Sequence, residues 1–391
     1  MGTETEYKNA FNRSHYDRIN LMVPAGKKEE IKKAAVRAGM SVNELIWNAV
    51  SKELHNSEYL GTIGISNRRY VGSKRKLLTF IRSALKNIRF NSFADLFAGT
   101  GVVADMYNKR KTIIVNDLLY SNYICYAAWF SDEAYDEAKL RNLIIQYNSM
   151  TSADENYVTE TYGNRYFSFE NASRIGFIRD DIERLKVDGT VNDREYALLL
   201  MSLLYAIQQS DVSRTLGHYM TYLKHPEPDG KLELRLPLAP SQKTNTGNQV
   251  FNMDALELIR TPSFSADVLY LDPPYSRQYG EYYHVLENIA RWQKPDVFGE
   301  TRRIRTPKSR FSITTSALEA LEEVVSLAKA KYILLSYSNA SLNNVSNIEL
   351  MEMLSRYGKT RVFSQRYDVF HGAKHIADTD NKERLFLCNK V

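Results

Sequence analysis

The stretch Asp272-Pro273-Pro274-Tyr275 follows directly on the apolar run Val268 to Leu271 and combines an acid, a stiff turn and an aromatic ring. Two consecutive prolines remove two backbone donors and restrict the chain. A strand ending there becomes a rigid corner at its carboxyl edge, where open α/β sheets bind ligands. On that corner Asp272 offers an anionic acceptor and Tyr275 a flat face. An aromatic amine is a poor nucleophile because its lone pair is delocalised into the ring. A carboxylate and a backbone carbonyl accepting its two N–H bonds would favour attack on a sulfonium methyl, while a tyrosine ring could stack on a base swung out of a duplex. A purely structural Asp-Pro-Pro turn is the competing reading.

Two further stretches could hold the other reactant. Asp95-Leu96-Phe97-Ala98-Gly99-Thr100-Gly101 sits where a strand should end and a helix begin. Gly99 and Gly101 permit backbone shapes and close ligand approach that a side chain would block, and the helix N-terminus would offer free N–H groups to an anion. A plain tight turn explains a glycine pair as well. Asp117 follows the run Thr112 to Val115. An acid after the second strand of a doubly wound sheet can accept from both ribose hydroxyls and leaves no room for a ribose phosphate, although it can equally cap the next helix.

These residues need elements that bring them to one edge. Phe93 to Phe97, Thr112 to Val115, Val268 to Leu271 and Tyr332 to Leu335 are continuous apolar runs of strand length, expected of a sheet covered on both faces. With helical patterns between them they predict an α/β, doubly wound fold. Between about Ser131 and Gln249 the pattern breaks into aromatic-rich segments and helices such as Glu195 to Gln208, which reads as an insertion. Residues 57–68 read as a linker. Before it, Arg18 to Val23 alternates as a half-buried strand, a helix is expected over Lys27 to Ala38, and Ser41 with Glu44 makes a capping box for a second helix. This order resembles ribbon-helix-helix DNA-binding modules, which pair two copies. On that resemblance Arg18, Asn20 and Met22 would face bases and the protein would be a homodimer. A helical cap or a dimer contact is the alternative for residues 1–56.

Composition bounds the possibilities. The 391 residues are 43% hydrophobic and 25% charged, as in an ordinary globular protein, and 26 Tyr are available for surfaces half apolar and half wet. The net charge of +6 would help an anionic partner approach without specifying it. Cys125 and Cys388 are the only cysteines, which excludes a disulfide framework or a cysteine-based zinc site and fits a reducing compartment. No secretory signal or membrane span is visible, so a cytoplasmic location is expected. His284 and Glu287 lie one helical turn apart, but without further ligands no metal site is expected.

Over residues 69–391 the chain resembles the DNA adenine-N6 methyltransferases of the alpha arrangement, the Dam-like and type II restriction-modification methylases. In these the cofactor motif precedes the catalytic one and target recognition lies between. Arg69-Tyr70-Val71-Gly72-Ser73-Lys74 resembles their extra N-terminal cofactor motif, with Ser73 where many relatives carry a second glycine. The resemblance implies that Tyr70, Gly72, Ser73 and Lys74 contact the methionine end of S-adenosylmethionine. It implies that Asp95, Phe97, Ala98, Gly99, Thr100 and Gly101 form the main cofactor loop and that Asp117 binds the ribose. Phe251-Asn252-Met253-Asp254 resembles the segment whose acid binds the cofactor adenine, with Met253 beside the ring. Asp272, Pro273, Pro274 and Tyr275 would be catalytic, Asp272 also lying at the cofactor. Ser276 to Glu287 resembles the loop and helix that close over a flipped base, and Leu335 to Asn339 and Glu383 to Lys390 resemble later strands.

The expected fold is therefore a Rossmann-like methyltransferase sheet formed by residues 69–130 and 250–391, with a mostly helical target-recognition domain at 131–249. In that insertion Arg165, Tyr166, Phe167, Arg174, Arg179, Arg214, His218, Tyr219 and Lys224 mix charge and rings as a DNA-gripping surface would. Arg214 and Lys224 in the insertion, with Tyr275, Arg277 and Tyr279 after the Asp272 corner, are the expected DNA contacts, and Arg302, Arg303, Arg305, Lys308 and Arg310 could bind phosphates. The implied partners are double-stranded DNA and a cognate restriction endonuclease. The competing readings are cytosine-N4 or RNA adenine methylation, and a non-catalytic DNA-binding regulator.

Overall fold

The apolar runs do pair. In a computed structural model, strands β1 (Ser92–Asp95), β2 (Thr112–Asn116), β3 (Gln249–Phe251), β4 (Ala266–Leu271), β5 (Ala330–Ser338), β6 (Gly358–Arg366) and β7 (Lys382–Lys390) form one sheet of order β3-β2-β1-β4-β5-β7-β6. The structure describes residues 23, 26–37, 41–42, 45–46, 62–151, 154–215, 218–220, 230–274, 278–313, 315–338, 345–366 and 382–390. Strands β3, β2, β1, β4 and β5 run parallel, and β7 lies antiparallel between β5 and β6.

Alternation explains why the central strands read as continuous apolar runs. Phe93, Ile113, Val115, Val268, Tyr270 and Leu334 point into one buried cluster, and Ala94, Ile114, Leu269, Leu271, Ile333 and Leu335 into the other. Both faces are covered, so the middles of these strands are apolar on both sides and polar residues such as Asp95 and Asn116 fall at the strand ends.

Two compact units emerge, residues 1–59 and 60–391. Of the first, helix α1 (Lys27–Arg37) is described, close to the expected span; it carries the exposed ion pairs Lys27–Glu30 and Lys32–Glu29 and buries Ala35. A Leu45 N–H to Ser41 carbonyl bond follows. Arg18, Asn20, Met22 and Glu44 lie outside the described residues.

In the second unit the longer helices are α2 (Leu78–Ala84), α3 (Val102–Asn108), α4 (Tyr120–Phe130), α5 (Glu137–Ser149), α6 (Tyr157–Tyr162), α7 (Phe169–Val187), α8 (Asp193–Ala206), α9 (Ala255–Arg260), α10 (His284–Arg291), α11 (Ala317–Leu327) and α12 (Asn347–Ser355), with single turns at Gln242–Asn245 and Tyr279–Tyr282. Polar side chains start many of them. Asp136, Asn156, Ser168, Asn192 and Ser346 each accept a first-turn N–H of α5, α6, α7, α8 and α12. The expected insertion is helical, but it shares its core with the sheet. α8 packs on α4, and Leu198 to Leu204 are buried on every side in the cluster that also contains Phe93 and Val268.

Part of the expected linker is also core. Ile63, Ile65 and Arg68 are buried, Ile63 exchanges backbone bonds with Leu236 and Leu238, and Tyr205 Oη donates to the Ile65 carbonyl at 2.8 Å. Among the described residues no helix is long and apolar enough to cross a membrane.

Candidate active site

The chain runs from β1 through β2 to β3 in one direction and then places β4 on the other side of β1, so a crevice opens between the β1 and β4 ends. Asp95 pairs with Tyr270 in register, and Leu96 N–H donates to the Tyr270 carbonyl at 3.3 Å. The turn 96–101 and the corner 272–274 therefore leave the sheet side by side. Sequence positions about 175 residues apart thus share one edge.

The turn needs its glycines. Gly99 and Gly101 have φ of 52° and 76°, the left-handed region, and a Cβ on Gly101 would lie 2.7 Å from Ile65 Cδ1. Several of its N–H groups are already bonded within the protein. Ala98 donates to the Asn116 carbonyl at 3.0 Å, Gly99 to Asp117 Oδ2 at 3.0 Å and Gly101 to the Ala98 carbonyl at 2.7 Å. The glycines of this turn allow close backbone approach.

Asp117 is buried at the mouth of α4. It makes the helix-entry bond, Oδ1 accepting from Leu119 N–H at 2.9 Å, and it also faces the crevice. Tyr279 Oη lies 3.3 and 3.2 Å from its two oxygens. Tyr70 Oη bonds Tyr279 Oη, and Asn122 Nδ2 donates to both hydroxyls at 3.1 and 3.2 Å. The Tyr70 ring stacks on Tyr283 at 4.5 Å between centroids, and Tyr283 Oη accepts from Val71 N–H at 2.9 Å. Tyr126 Oη donates to the Gly99 carbonyl at 2.7 Å. Burial raises the Asp117 carboxyl above its usual range, against the pull of the bonds donated by Leu119, Asn122, Gly99 and Tyr279. Tyr279, expected at DNA, thus turns its hydroxyl into the crevice toward the expected ribose acid.

Helix α4 has no side-chain cap of its own. Glu287 of α10 supplies it, Oε1 accepting from Tyr120 N–H at 3.0 Å and Oε2 from Ser121 N–H at 2.9 Å, with Arg291 Nε 2.6 Å from Oε1. The anion sits at the positive end of the helix that carries Asn122 and Tyr126.

At the corner, Lys74 Nζ lies 2.9 Å from Asp272 Oδ1 and 3.7 Å from Glu383 Oε1, with side chains 9%, 15% and 3% exposed in that order. Ser336 Oγ donates to Glu383 Oε1 at 2.7 Å. Lys74, expected at the methionine end of a cofactor, faces these two acids because a buried ammonium requires anionic partners. Asp95 is 1% exposed, and neither of its oxygens forms a well-aligned hydrogen bond among the described residues. Burial, then the charge of Asp272, pushes its carboxyl well above the usual range. Gly72, at φ 81°, has open space around it, and Ser73 Oγ caps the short 3-10 turn Lys74–Leu77.

Toward β2, Asn116 ties the two loops together. Its Nδ2 donates to the Leu96 and Met253 carbonyls at 3.1 and 3.0 Å, and its Oδ1 accepts from Met253 N–H at 3.0 Å. Asp254 Oδ1 accepts from Leu256 N–H at 2.9 Å, starting α9. Phe97 is half-buried against Phe311. Pro273 is buried and Pro274 half-buried, whereas Tyr275, Arg277 and Lys224 lie outside the described residues.

Several cations expected on a DNA surface are structural. Arg174 is fully buried and donates to the Leu232 and Tyr147 carbonyls at 2.7 and 3.0 Å. Arg179, also fully buried, donates to the Ile289 and Ala290 carbonyls at 2.8 and 3.1 Å and to Glu183 at 2.7 Å. Arg214 is buried, with NH1 3.4 Å from the Asn164 carbonyl. Tyr166, Phe167 and Tyr219 are buried as well, while Arg305, Lys308 and Arg310 are exposed.

Asn116, Asn122, Tyr126, Tyr283, Ser336 and Glu383 were not singled out as site residues from the sequence. Only Asn116 had a signal, its place at the end of a buried strand. Among the described residues no group of three or more His, Cys, Asp or Glu side chains is placed to hold a metal ion.

Residues 70–351 match the family described as D12 class N6 adenine-specific DNA methyltransferase. The chain is 34% identical over 311 residues to Modification methylase LlaI of Lactococcus lactis subsp. lactis, covering 74% of this chain and 49% of that protein. It is 32% identical over 345 residues to Type II methyltransferase M.FokI of Planomicrobium okeanokoites, covering 82% and 52%. It is 30% identical over 324 residues to Type II methyltransferase M.NlaIII of Neisseria lactamica, covering 78% and 93%. The matched region thus spans about half the length of the first two relatives and nearly all of the third. Covering well over half of the chain, the match places the protein in the D12 class N6 adenine-specific DNA methyltransferase family.

Proposed function

We propose that the protein transfers a methyl group from S-adenosylmethionine to N6 of adenine in double-stranded DNA, as a modification methylase. The observation that carries this reading is the adjacency of the glycine turn and the Asp272 corner, joined by the Leu96 to Tyr270 bond. The crevice suits a cationic amino-acid cofactor. A nearly inaccessible carboxylate whose oxygens lack a well-aligned donor, Asp95, is costly as an anion until a cation arrives. Tyr70, Gly72, Ser73, Asp95 and residues 97–101 would hold the methionine end, Asp117 the ribose, and Met253 and Asp254 the adenine. When bound, S-adenosylmethionine supplies an electrophilic sulfonium methyl.

The protein's own residues would act on the target. Asp272 and the Pro273 carbonyl accept the two N–H bonds of the exocyclic amine, turning its lone pair out of conjugation. Tyr275 stacks on the extruded base, and Pro274 keeps the corner stiff. Asp272 also offsets the positive charge that grows on the nitrogen. Residues 1–56 are proposed as a dimerising DNA-reading module, supported by the helix at Lys27–Arg37; sedimentation showing only monomer at high concentration would refute the dimer. A cognate restriction endonuclease and a cytoplasmic setting accompany the modification-methylase reading.

Replacement Asp272→Ala should lower labelled methyl transfer onto DNA by about 100-fold or more while cofactor binding is retained. Nucleoside analysis should find N6-methyladenine in the wild-type product. Turnover retained by the variant, or label only on cytosine or RNA, would overturn the assignment.

A further inference from the structure

Beyond this reading, and resting on it, one buried group has no assigned role. Glu383 opens β7 with its side chain 3% exposed and its carboxylate directed at the Lys74 ammonium, 3.7 Å away, which in turn touches Asp272 at 2.9 Å. The three residues come from three separate stretches: the 3-10 turn before α2, the corner after β4 and the start of β7. Ser336 on the neighbouring strand β5 holds Glu383 Oε1 at 2.7 Å.

We propose that Glu383 is a positioning residue for methyl transfer, which with Ser336 holds Lys74 so that the ammonium fixes the Asp272 carboxylate in place to accept from the target amine. The physical reason lies in the charge count. Lys74 and Asp272 alone would make a neutral pair, and an ammonium wholly committed to Asp272 would weaken it as an acceptor. A second carboxylate shares the ammonium and leaves the cluster net negative, so Asp272 keeps its acceptor strength while positive charge develops on the amine.

Asp272 alone already neutralises the ammonium, and burying a second carboxylate beside it is costly, so charge balance by itself does not call for Glu383. Burial, and then the charge of Asp272, does raise the Glu383 carboxyl against the pull of Lys74. Lys74, Asp272 and Tyr270 of β4 are the titratable groups that face it, with Asp95 at the end of β1 beyond Asp272.

The test uses the full chain, labelled S-adenosylmethionine and genomic DNA from a host lacking adenine methylation. Glu383→Gln keeps the shape and removes the charge. It should slow single-turnover methyl transfer by about 10- to 100-fold while leaving cofactor affinity within about twofold, and Glu383→Asp should recover part of the rate. The wild-type rate should fall on the acid side as Glu383 takes up a proton, above the ordinary glutamate range, whereas the Gln variant should lose that component and keep only what other raised carboxyls such as Asp95 and Asp117 contribute. Ser336→Ala should slow transfer in the same direction by a smaller factor, which keeps the test open should the Gln variant fail to fold.

An unchanged rate and pH profile in Glu383→Gln overturns the proposal, as does a rate loss matched by an equal loss of cofactor affinity. A full rate in Ser336→Ala also overturns it. No transfer by the wild type overturns the methyltransferase reading itself, and this proposal with it, which separates the two failures.

Discussion

His284 shows how burial removes a titration from the neutral range. The ring is fully buried, Nε2 donates to the Tyr219 carbonyl at 2.9 Å, and desolvation lowers its pKa to about 4. The folded value lies below the ordinary 6.5, so the stability held by the neutral ring is complete above pH 6.5 and is lost as the pH falls toward 4. Asp95 and Glu383, raised instead, act with the opposite sign, so the comparison must be made against a variant. In urea unfolding, wild type minus His284→Gln should be less favourable at pH 5 than at pH 7 by about 2 kcal/mol. A difference independent of pH would show that the ring is not held neutral.

Among the elements, α10 works as a strut. Its Glu287 caps the start of α4, and its last carbonyls, at Ile289 and Ala290, receive Arg179 from α7. Through these contacts the helix following the Asp272 corner is tied to the helix carrying Asn122 and Tyr126 to Asp117. The arginine is therefore expected to matter for folding. Arg179→Ala leaves two helix-end carbonyls and Glu183 without their cation and should cost about 3 to 5 kcal/mol in denaturant unfolding. The dependence of DNA affinity on salt should be unchanged. A reduced salt slope with full stability would return Arg179 to the DNA surface.

For the molecule as a whole, the phosphate-binding surface must be sought where cations are exposed. Arg305 and Lys308 are exposed, and Arg305 lines a cleft with Arg291, Gln293 and Phe298. If this face tracks a duplex, each neutralised phosphate releases about 0.9 counterion. Arg305→Ala with Lys308→Ala should then reduce the slope of log affinity against log salt by about 2 and weaken all DNA sequences alike. An unchanged slope would move the DNA to another face.

What the sequence determined by itself was local. Proline pairs, left-handed glycines and apolar runs act over a few residues, so the corner at Asp272, the turn at Gly99 and Gly101 and the central strands were legible from their own neighbours. Burial is a property of the assembled chain, and there the sequence misled. Arg174, Arg179 and Arg214 read as surface cations because nothing local distinguishes an arginine that grips phosphate from one that satisfies buried carbonyls. Tyr279 likewise sits one turn from the corner, yet the direction of its hydroxyl depends on Tyr70 and Asn122, far away in the chain. Glu383 was unreadable for the same reason: its partners Lys74, Asp272 and Ser336 meet it only when β7 slots beside β5. Charge interactions reach across space in a low-dielectric interior, and only the tertiary structure decides which charges share it.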